Sequence, residues 1–245
     1  MISDETLPEE LGDRGHELRS FGRRRGRKLS PRQQALVDTL LPRLALDLSQ
    51  PMPAPLAGLF AGSVRDVWLE IGFGGGEHLL WQAKAHPDVG LIGCEPFLDG
   101  VVKVLSAVDD AAVAGTGALA NVRLHADDAR PLLRGLPDGQ IGRAFILFPD
   151  PWPKARHQKR RLVSESTLRE LARAMRPGAE LRLGTDIADY ARVMLLAIRQ
   201  EGSFRWTAES PADWLQRPAD WPQTRYEAKA LAAGRRCHYF RFERK

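Results

Sequence analysis

The 245-residue sequence has few cysteines, few aromatic residues and no long apolar run. Its two cysteines, Cys94 and Cys237, form no CxxC pair, which argues against a disulfide scaffold and indicates a reducing, cytoplasmic compartment. The longest clear apolar run, 144–148, is much too short to cross a bilayer. The six histidines show no spacing typical of a metal site, so no metal is expected. Segment 1–13 is acidic and not apolar, and therefore does not predict a signal peptide.

Basic charge is concentrated in three stretches, although the formal net charge is only +5. Residues 19–28 hold six basic side chains and no acid, and residues 154–161 hold five and no acid. Residues 225–245 hold seven basic side chains against two acids, so the rest of the chain is net acidic. Such dense patches of one sign favour a polyanionic partner such as nucleic acid. The alternative is a solvated surface in an arginine-rich protein.

The order of the predicted elements indicates the fold class. Residues 1–29 lack hydrophobic periodicity and predict a flexible arm, whereas 30–245 predict a single domain. From Val67 onward, short apolar runs alternate with helical patterns, which predicts an α/β, doubly wound parallel sheet with helices on both faces. Ligands of such sheets bind beyond the carboxyl ends of the strands. The predicted strands are 67–72, 90–95, 121–126, 143–148, 179–185, 204–208 and 237–243, and the predicted helices 76–86, 97–110, 128–135, 164–176 and 187–201.

A glycine-rich loop follows the first predicted strand. Its glycines permit a tight turn and a close approach of the backbone to a ligand. The dinucleotide fingerprint GxGxxG would need a glycine where Glu77 stands, and that carboxylate disfavours a pyrophosphate. The spacing is instead Glu70-x-Gly72-x-Gly74-x-Gly76, which favours a cationic ligand that bears an amino acid.

Acidic residues follow the second and third strands as well. Glu95 lies 23 residues after Gly72, a separation suited to an acid that accepts hydrogen bonds from ribose hydroxyls. Asp127 and Asp128 follow the third strand, where a carboxylate could accept from an adenine amine. Each acid alone could equally be a loop or helix-cap residue.

The fourth strand ends in a proline-rich loop, Phe-Pro-Asp-Pro-Trp-Pro-Lys at 148–154. Its prolines cannot continue a strand or helix, so the loop presents Asp150 beyond the strand end, with Trp152 available for stacking. A plain turn is the alternative, but it does not explain the basic run that follows at once. Asp186 ends the fifth strand or caps the next helix, and 224–227 on its own reads as a surface turn.

Together, these motifs resemble the bacterial tRNA (guanine-N7)-methyltransferase family, a branch of the class I S-adenosylmethionine (SAM)-dependent methyltransferases. The similarity runs from about residue 23 to 245. The glycine loop is generic to methyltransferases, whereas the FPDPW-x-K-x-R-H-x-K-R-R pattern is highly specific. The motifs that carry the resemblance are RGRKLSPRQ (25–33), LEIGFGGGEHL (69–79), GCEPF (93–97), FPDPWPKARHQKRR (148–161), GTD (184–186) and TRYE (224–227).

The resemblance implies a Rossmann-like, mostly parallel seven-stranded sheet whose last strand is antiparallel. It also implies SAM as methyl donor and tRNA as partner, with guanine 46 of the variable loop as target and a monomeric or homodimeric enzyme. It makes Asp150 the active-site residue, close to SAM. The implied SAM-binding residues are Glu70, Gly72, Gly74, Gly76, Glu95, Asp128 and Asp150, and the implied substrate contacts are Lys154, Asp186, Thr224, Arg225, Tyr226 and Glu227.

The residue types agree with methylation of guanine N7, which carries a lone pair and needs no general base. Catalysis then depends mainly on orientation, to which carboxylates contribute by accepting hydrogen bonds from the guanine edge. Three other functions stay open: methylation of an exocyclic amine, RNA binding without catalysis on the same scaffold, and a nicotinamide-dependent dehydrogenase. Asp150-Pro151-Trp152 is close to the Asn/Asp-Pro-Pro-aromatic loop of the first class but lacks its second proline.

Overall fold

A computed structural model describes residues 24, 26 and 28–245 and builds them around one seven-stranded sheet. The strand order is β3-β2-β1-β4-β5-β7-β6, with parallel pairing from β3 to β5 and β7 antiparallel to both of its neighbours. This confirms the predicted mostly parallel sheet with an antiparallel last strand. The predicted arm 1–29 lies almost wholly outside the described residues. The strands are β1 Asp66–Ile71, β2 Val89–Cys94, β3 Val122–His125, β4 Ile141–Leu147, β5 Met175–Thr185, β6 Phe204–Trp206 and β7 His238–Arg244.

Helices cover both faces of the sheet because successive strand residues face opposite ways. In β1 and β4, Leu69 and Ile146 pack in one core with α5, α6 and α7, whereas Trp68 and Phe145 pack in the other with α3 and α4. The helices are α1 Pro31–Thr39, α2 Leu41–Leu44, α3 Glu77–Ala85, α4 Leu98–Val113, α5 Ala129–Gly135, α6 Glu165–Ala174, α7 Ala188–Glu201, α8 Ala212–Leu215 and α9 Arg225–Ala232, with 3-10 helices at Leu56–Leu59 and Ala155–Arg160.

The strand order reverses between β1 and β4, because the chain first adds β2 and β3 on one side and then β4 and β5 on the other. At such a switch point the loops after the two central strands separate and leave a crevice. The glycine loop follows β1 and the proline-rich loop follows β4, so the topology itself brings these two motifs to one place.

The fifth strand begins earlier than the sequence predicts. The sequence pattern predicts a helix over 164–176, but α6 ends at Ala174 and β5 starts at Met175, continuing through Pro177 and Gly178. Met175 pairs with Ile141 and is buried, and the Arg176 guanidinium binds both carboxylate oxygens of Asp66, at 2.7 and 2.9 Å. Pairing with the sheet therefore overrides the local helical preference.

Candidate active site

A cavity of about 360 Å³ opens at the switch point, beyond the carboxyl ends of β1, β2, β3 and β4. It brings together six of the residues implied above, namely Gly72, Gly74, Glu95, Asp128, Asp150 and Tyr226. Its other lining residues are Ile71, Cys94, Pro96, Phe97, Ala129, Arg130, Phe148, Pro149, Trp152, Arg160 and Leu162.

The glycine loop depends on left-handed backbone at three alternate positions. Gly72, Gly74 and Gly76 have φ angles of 76°, 57° and 81°, which L side chains rarely adopt. Gly76 is also the residue that caps the N-terminus of α3. A Cβ on Gly72 would meet no atom within 4 Å, so the glycine leaves open space beside the cavity.

Glu95 ties this loop to the start of α4. Its carboxylate accepts hydrogen bonds from the backbone N–H groups of Gly74, at 2.7 Å, and Phe97, at 2.9 Å. The side chain is buried, and desolvation raises its pKa although the two hydrogen bonds oppose that shift. The nearby carboxylates of Asp150 and Glu70 raise the pKa further. The cavity lining thus holds three carboxylates, Glu95, Asp128 and Asp150, against the two guanidinium groups of Arg130 and Arg160.

Glu70 lies behind the glycine loop and not on the cavity wall. It is only 2% exposed, and its Oε2 lies 2.8 Å from Nδ1 of His78. The other ring nitrogen of His78 lies 3.1 Å from Gln82 Nε2, which continues a buried polar chain. The predicted contact between Glu70 and a cofactor therefore stays a prediction.

Asp128 and Asp127 occupy different positions at the end of β3. Asp128 lines the cavity and caps α5, because its carboxylate accepts from the backbone N–H and the guanidinium of Arg130, both at 2.9 Å. Asp127 is absent from the lining and instead pairs with Arg24. This arrangement favours Asp128 as the acid that faces a ligand in the cavity.

The proline-rich loop carries unusual backbone at both ends. Phe148 and Trp152 have φ angles of 52° and 42°, although neither is glycine. Such strain persists where the surrounding structure enforces it, and it is concentrated at functional sites. Phe148 is held by a 2.7 Å hydrogen bond from its N–H to the carbonyl of Gly184. Asp150 keeps more than a third of its surface exposed, yet neighbouring protein atoms desolvate its carboxylate and raise its pKa.

Segment 224–227 begins a helix, where the sequence pattern alone indicated a surface turn. Thr224 caps α9 by accepting the backbone N–H of Glu227, at 3.2 Å. Thr-x-x-Glu is the capping-box pattern, so a signal for this helix is present in the sequence. Glu227 is fully buried and accepts a 2.6 Å hydrogen bond from the Tyr239 hydroxyl. Its carboxylate also lies 3.0 Å from Arg217 Nε, so Glu227 anchors the helix.

Of the remaining implied substrate contacts, only Tyr226 lines the cavity. Tyr226 is 47% exposed and lines the cavity, and a Cβ on Gly74 would lie only 2.8 Å from its ring. Arg225 is exposed, with its Nε 3.5 Å from a carboxylate oxygen of Glu77. Lys154 is exposed, whereas Asp186 pairs with Arg235 at 2.6 Å. The structure does not bring Lys154 or Asp186 into the cavity lining.

The two described basic stretches do not form one continuous face. In the run after the proline-rich loop, Lys154, Arg156 and Lys159 are exposed, but Arg161 is buried. The last stretch is divided because β7 is antiparallel, so it begins at the cavity edge and ends at the opposite one. Arg244 and Lys245 donate there to backbone carbonyls of Ala172 and Gly202, at 2.7 and 2.6 Å.

The described part of the chain shows neither a cluster of metal ligands nor a membrane-spanning helix. Across residues 24, 26 and 28–245, no group of three or more His, Cys, Asp or Glu side chains is placed to hold a metal ion. Within the same part of the chain, none of the helices has the length and apolar character needed to span a bilayer.

Comparisons with known proteins identify relatives of this chain. Residues 64–240 match a family model described as "Putative methyltransferase". The tRNA (guanine-N(7)-)-methyltransferase of Rhodospirillum rubrum is 48% identical over 232 residues, which are 94% of this chain and 89% of the relative. The enzyme of the same name from Chelativorans sp. is 49% identical over 224 residues, 91% of this chain and 94% of the relative.

Solved structures with a similar fold are more distant in sequence. An antibiotic-related methyltransferase superposes with a TM-score of 0.52 at 19% identity, covering 80% of this chain and 93% of its own. A 16S rRNA methyltransferase superposes with a TM-score of 0.51 at 16% identity, covering 75% of this chain and 90% of its own. These two similarities establish a shared methyltransferase fold.

Proposed function

The chain belongs to the tRNA (guanine-N7)-methyltransferase family, and from this premise we propose that it methylates N7 of guanine 46 in the variable loop of tRNA, with SAM as the methyl donor. One observation carries the proposal at the level of the site. Asp150, on a strained proline-rich loop, lies at a cavity that is also lined by the glycine loop and by Glu95 and Asp128.

The acidic residues of the cavity fit the positive charges of SAM. When bound, SAM supplies an electrophilic methyl group on a sulfonium and carries a second positive charge on its amino group. Glu95 and Asp150 both have raised pKa values, because burial disfavours their ionised forms, and for Glu95 the nearby Asp150 carboxylate adds to the shift. A cationic ligand relieves that cost. We assign the ribose hydroxyls to Glu95, the adenine amine to Asp128 and the amino-acid end to the glycine loop, with Glu70 buried behind that loop.

The protein groups act on guanine by orientation and charge. N7 already has a lone pair, so no side chain has to remove a proton before transfer. Asp150 and Asp186 are the carboxylates suited to accept hydrogen bonds from the N1–H and exocyclic amine of guanine. Positive charge grows on the base as the methyl group arrives, so each charge-assisted bond is worth roughly 1.5–3 kcal/mol.

Affinity for tRNA comes from exposed basic side chains next to this loop. Lys154, Arg156 and Lys159 follow Asp150 directly and are exposed. Phosphate contacts of this kind position the substrate but do not read its sequence. We place the reaction in the cytoplasm, since both cysteines are free thiols.

The test uses the full-length protein, labelled SAM and an unmodified tRNA transcript. We expect one methyl group per tRNA, which nuclease digestion and mass spectrometry should identify as 7-methylguanosine at position 46. A transcript with adenine at that position is the matched control and should stay unlabelled. An N2- or N6-methyl product would establish an exocyclic-amine enzyme instead. Binding of tRNA with no product would indicate a non-catalytic protein.

A further inference from the structure

The last residue of the basic run after the proline-rich loop differs from its neighbours by being buried. Arg161 is only 5% exposed. Its Nε donates to the carbonyl oxygen of Pro151 at 2.8 Å, and its Nη2 lies 2.7 Å from a carboxylate oxygen of Asp189 on α7. The guanidinium also lies 4.8 Å from the centre of the Tyr190 ring. A guanidinium used in this way is not available to a phosphate on the surface.

The backbone of the proline-rich loop has few hydrogen-bond donors. Proline has no backbone N–H, so Asp150 and Trp152 are the only donors in the backbone of 149–153. Most hydrogen-bonding groups of this backbone are therefore carbonyl oxygens, and Arg161 binds the carbonyl oxygen of Pro151, which lies between Asp150 and Trp152. Trp152, which follows at once, has its strained φ of 42°.

Helix α7 supplies both side chains that contact this guanidinium, Asp189 and Tyr190. Tyr190 is fully buried on α7, and its hydroxyl accepts the backbone N–H of Val163 at 3.1 Å. Helix α7 therefore holds the chain on both sides of residue 162, through Arg161 and through Val163. At its other end the proline-rich loop is held by the bond from Phe148 to Gly184 of β5. Asp150 therefore lies between two residues whose backbone is hydrogen-bonded, Phe148 and Pro151.

We propose that Arg161 is a positioning residue for methyl transfer: it holds the Pro151 carbonyl so that Asp150 stays at the cavity, and it does not contact tRNA. This rests on the function proposed above. Arg161 thereby differs in role from the exposed Lys154, Arg156 and Lys159, to which we assign the phosphate contacts. Small errors in the placement of a group that orients the substrate cost about 100-fold in rate. Loss of the hydrogen bond from Arg161 to Pro151 should therefore lower the rate of methyl transfer and leave the affinity for tRNA unchanged.

The experiment compares Arg161→Gln and Arg161→Lys with Arg244→Gln as a matched control. Arg244 also donates Nε to a backbone carbonyl, at 2.7 Å, but at the opposite edge of the sheet. Four quantities are measured for each variant: the single-turnover rate at saturating SAM and tRNA, the salt dependence of tRNA binding, the melting temperature, and hydrogen exchange of peptides that cover 148–154.

We expect Arg161→Gln to lose about 10- to 100-fold in single-turnover rate while the salt dependence stays that of the parent. Exchange over 148–154 should rise in this variant and not in Arg244→Gln. Arg161→Lys should recover part of the rate, because an ammonium can still donate to the carbonyl but cannot span both partners.

Three results would overturn the inference. The first is a rate close to that of the parent with a salt slope lower by about one, which would make Arg161 a phosphate contact. The second is a rate loss shared with Arg244→Gln and explained by melting. The third is unchanged exchange over 148–154. Hydrogen exchange needs no methylated product, so it tests whether Arg161 holds the proline-rich loop even if the parent protein makes no 7-methylguanosine. Absence of 7-methylguanosine would instead contradict the proposed function.

Discussion

The glycine loop and the proline-rich loop reach the same cavity by opposite means. The glycine loop turns through left-handed backbone at positions where glycine adopts it without strain. The proline-rich loop places the same kind of backbone on Phe148 and Trp152, where it is costly. The first loop therefore specifies its shape locally, whereas the second needs contacts from β5 and α7. We infer that the glycine side of the cavity is fixed largely by its own sequence, with Glu95 as a tertiary support, whereas the proline-rich side depends on the tertiary structure.

Replacing Asp150 should give the largest effect on this comparison. We expect Asp150→Asn to lower the single-turnover rate by about 100- to 1,000-fold, because an amide removes the charge that stabilises the developing cation. Affinity for tRNA should change little, since phosphate contacts lie elsewhere. Asp138→Asn is a matched control, because Asp138 is exposed and precedes β4 at the opposite edge of the sheet. Near-normal turnover of Asp150→Asn would remove the assigned role.

The sequence predicted the parts of the site that depend on local chemistry. Gly72 and Gly74 lie where the pattern placed them, because a turn that needs positive φ requires glycine in any context. The acids at the ends of β2 and β4 follow from strand periodicity and sheet topology. Glu95 and Asp150 accordingly line one cavity.

The parts that the sequence did not predict depend on residues distant in the chain. In the sequence, Arg161 cannot be distinguished from its exposed basic neighbours, because its burial depends on Asp189 and Tyr190 of α7. Likewise, the sequence does not show that Glu227 is buried, because its partner Tyr239 lies on β7. Burial of a charged side chain depends on whether partners are folded around it, and no local pattern contains that information.

Alanine substitutions at Gly72 and Gly117 should distinguish the effect of backbone strain on stability from the effect of a lost ligand contact on SAM binding. Gly72 and Gly117 both have positive φ, and a Cβ on either would meet no atom within 4 Å. Alanine at each position should therefore lower the free energy of unfolding by a similar amount, about 1–2 kcal/mol. Only Gly72→Ala should also weaken SAM binding in calorimetry, because only Gly72 lines the cavity. Equal SAM affinity in both variants would exclude Gly72 from the cofactor site.

The basic residues that follow the proline-rich loop give the next test. Neutralising Arg156 and Lys159 to glutamine should flatten the slope of log K against log salt by about two units, at ~0.9 per phosphate contact. The matched double variant replaces Arg244 and Lys245, which lie at the opposite edge of the sheet. It removes the same charge and should leave the slope unchanged. Equal slopes in the two variants would mean that tRNA responds to net charge and not to this surface.

The smallest effect concerns the ligand-free stability of the proline-rich loop. Desolvation raises the pKa of Asp150, so the folded protein holds this proton more tightly than the unfolded chain does. Stability is therefore lost as the pH rises from the ordinary aspartate pKa through the raised value. Asp150→Asn should be slightly more stable than the parent at neutral pH, and the difference should disappear in acid.

A control of opposite sign makes this small effect measurable. Hydrogen bonds from Ser210 and the backbone of Glu209 lower the pKa of Asp213. Asp213→Asn should therefore be less stable than the parent at neutral pH, with a difference that also fades in acid. Chemical denaturation of the three proteins across this pH range measures both signs. If Asp150→Asn instead proves less stable than the parent at neutral pH, the Asp150 carboxylate stabilises the proline-rich loop. In that case the functional side chain imposes no cost on the stability of this loop, and the proline-rich loop resembles the glycine loop in this respect.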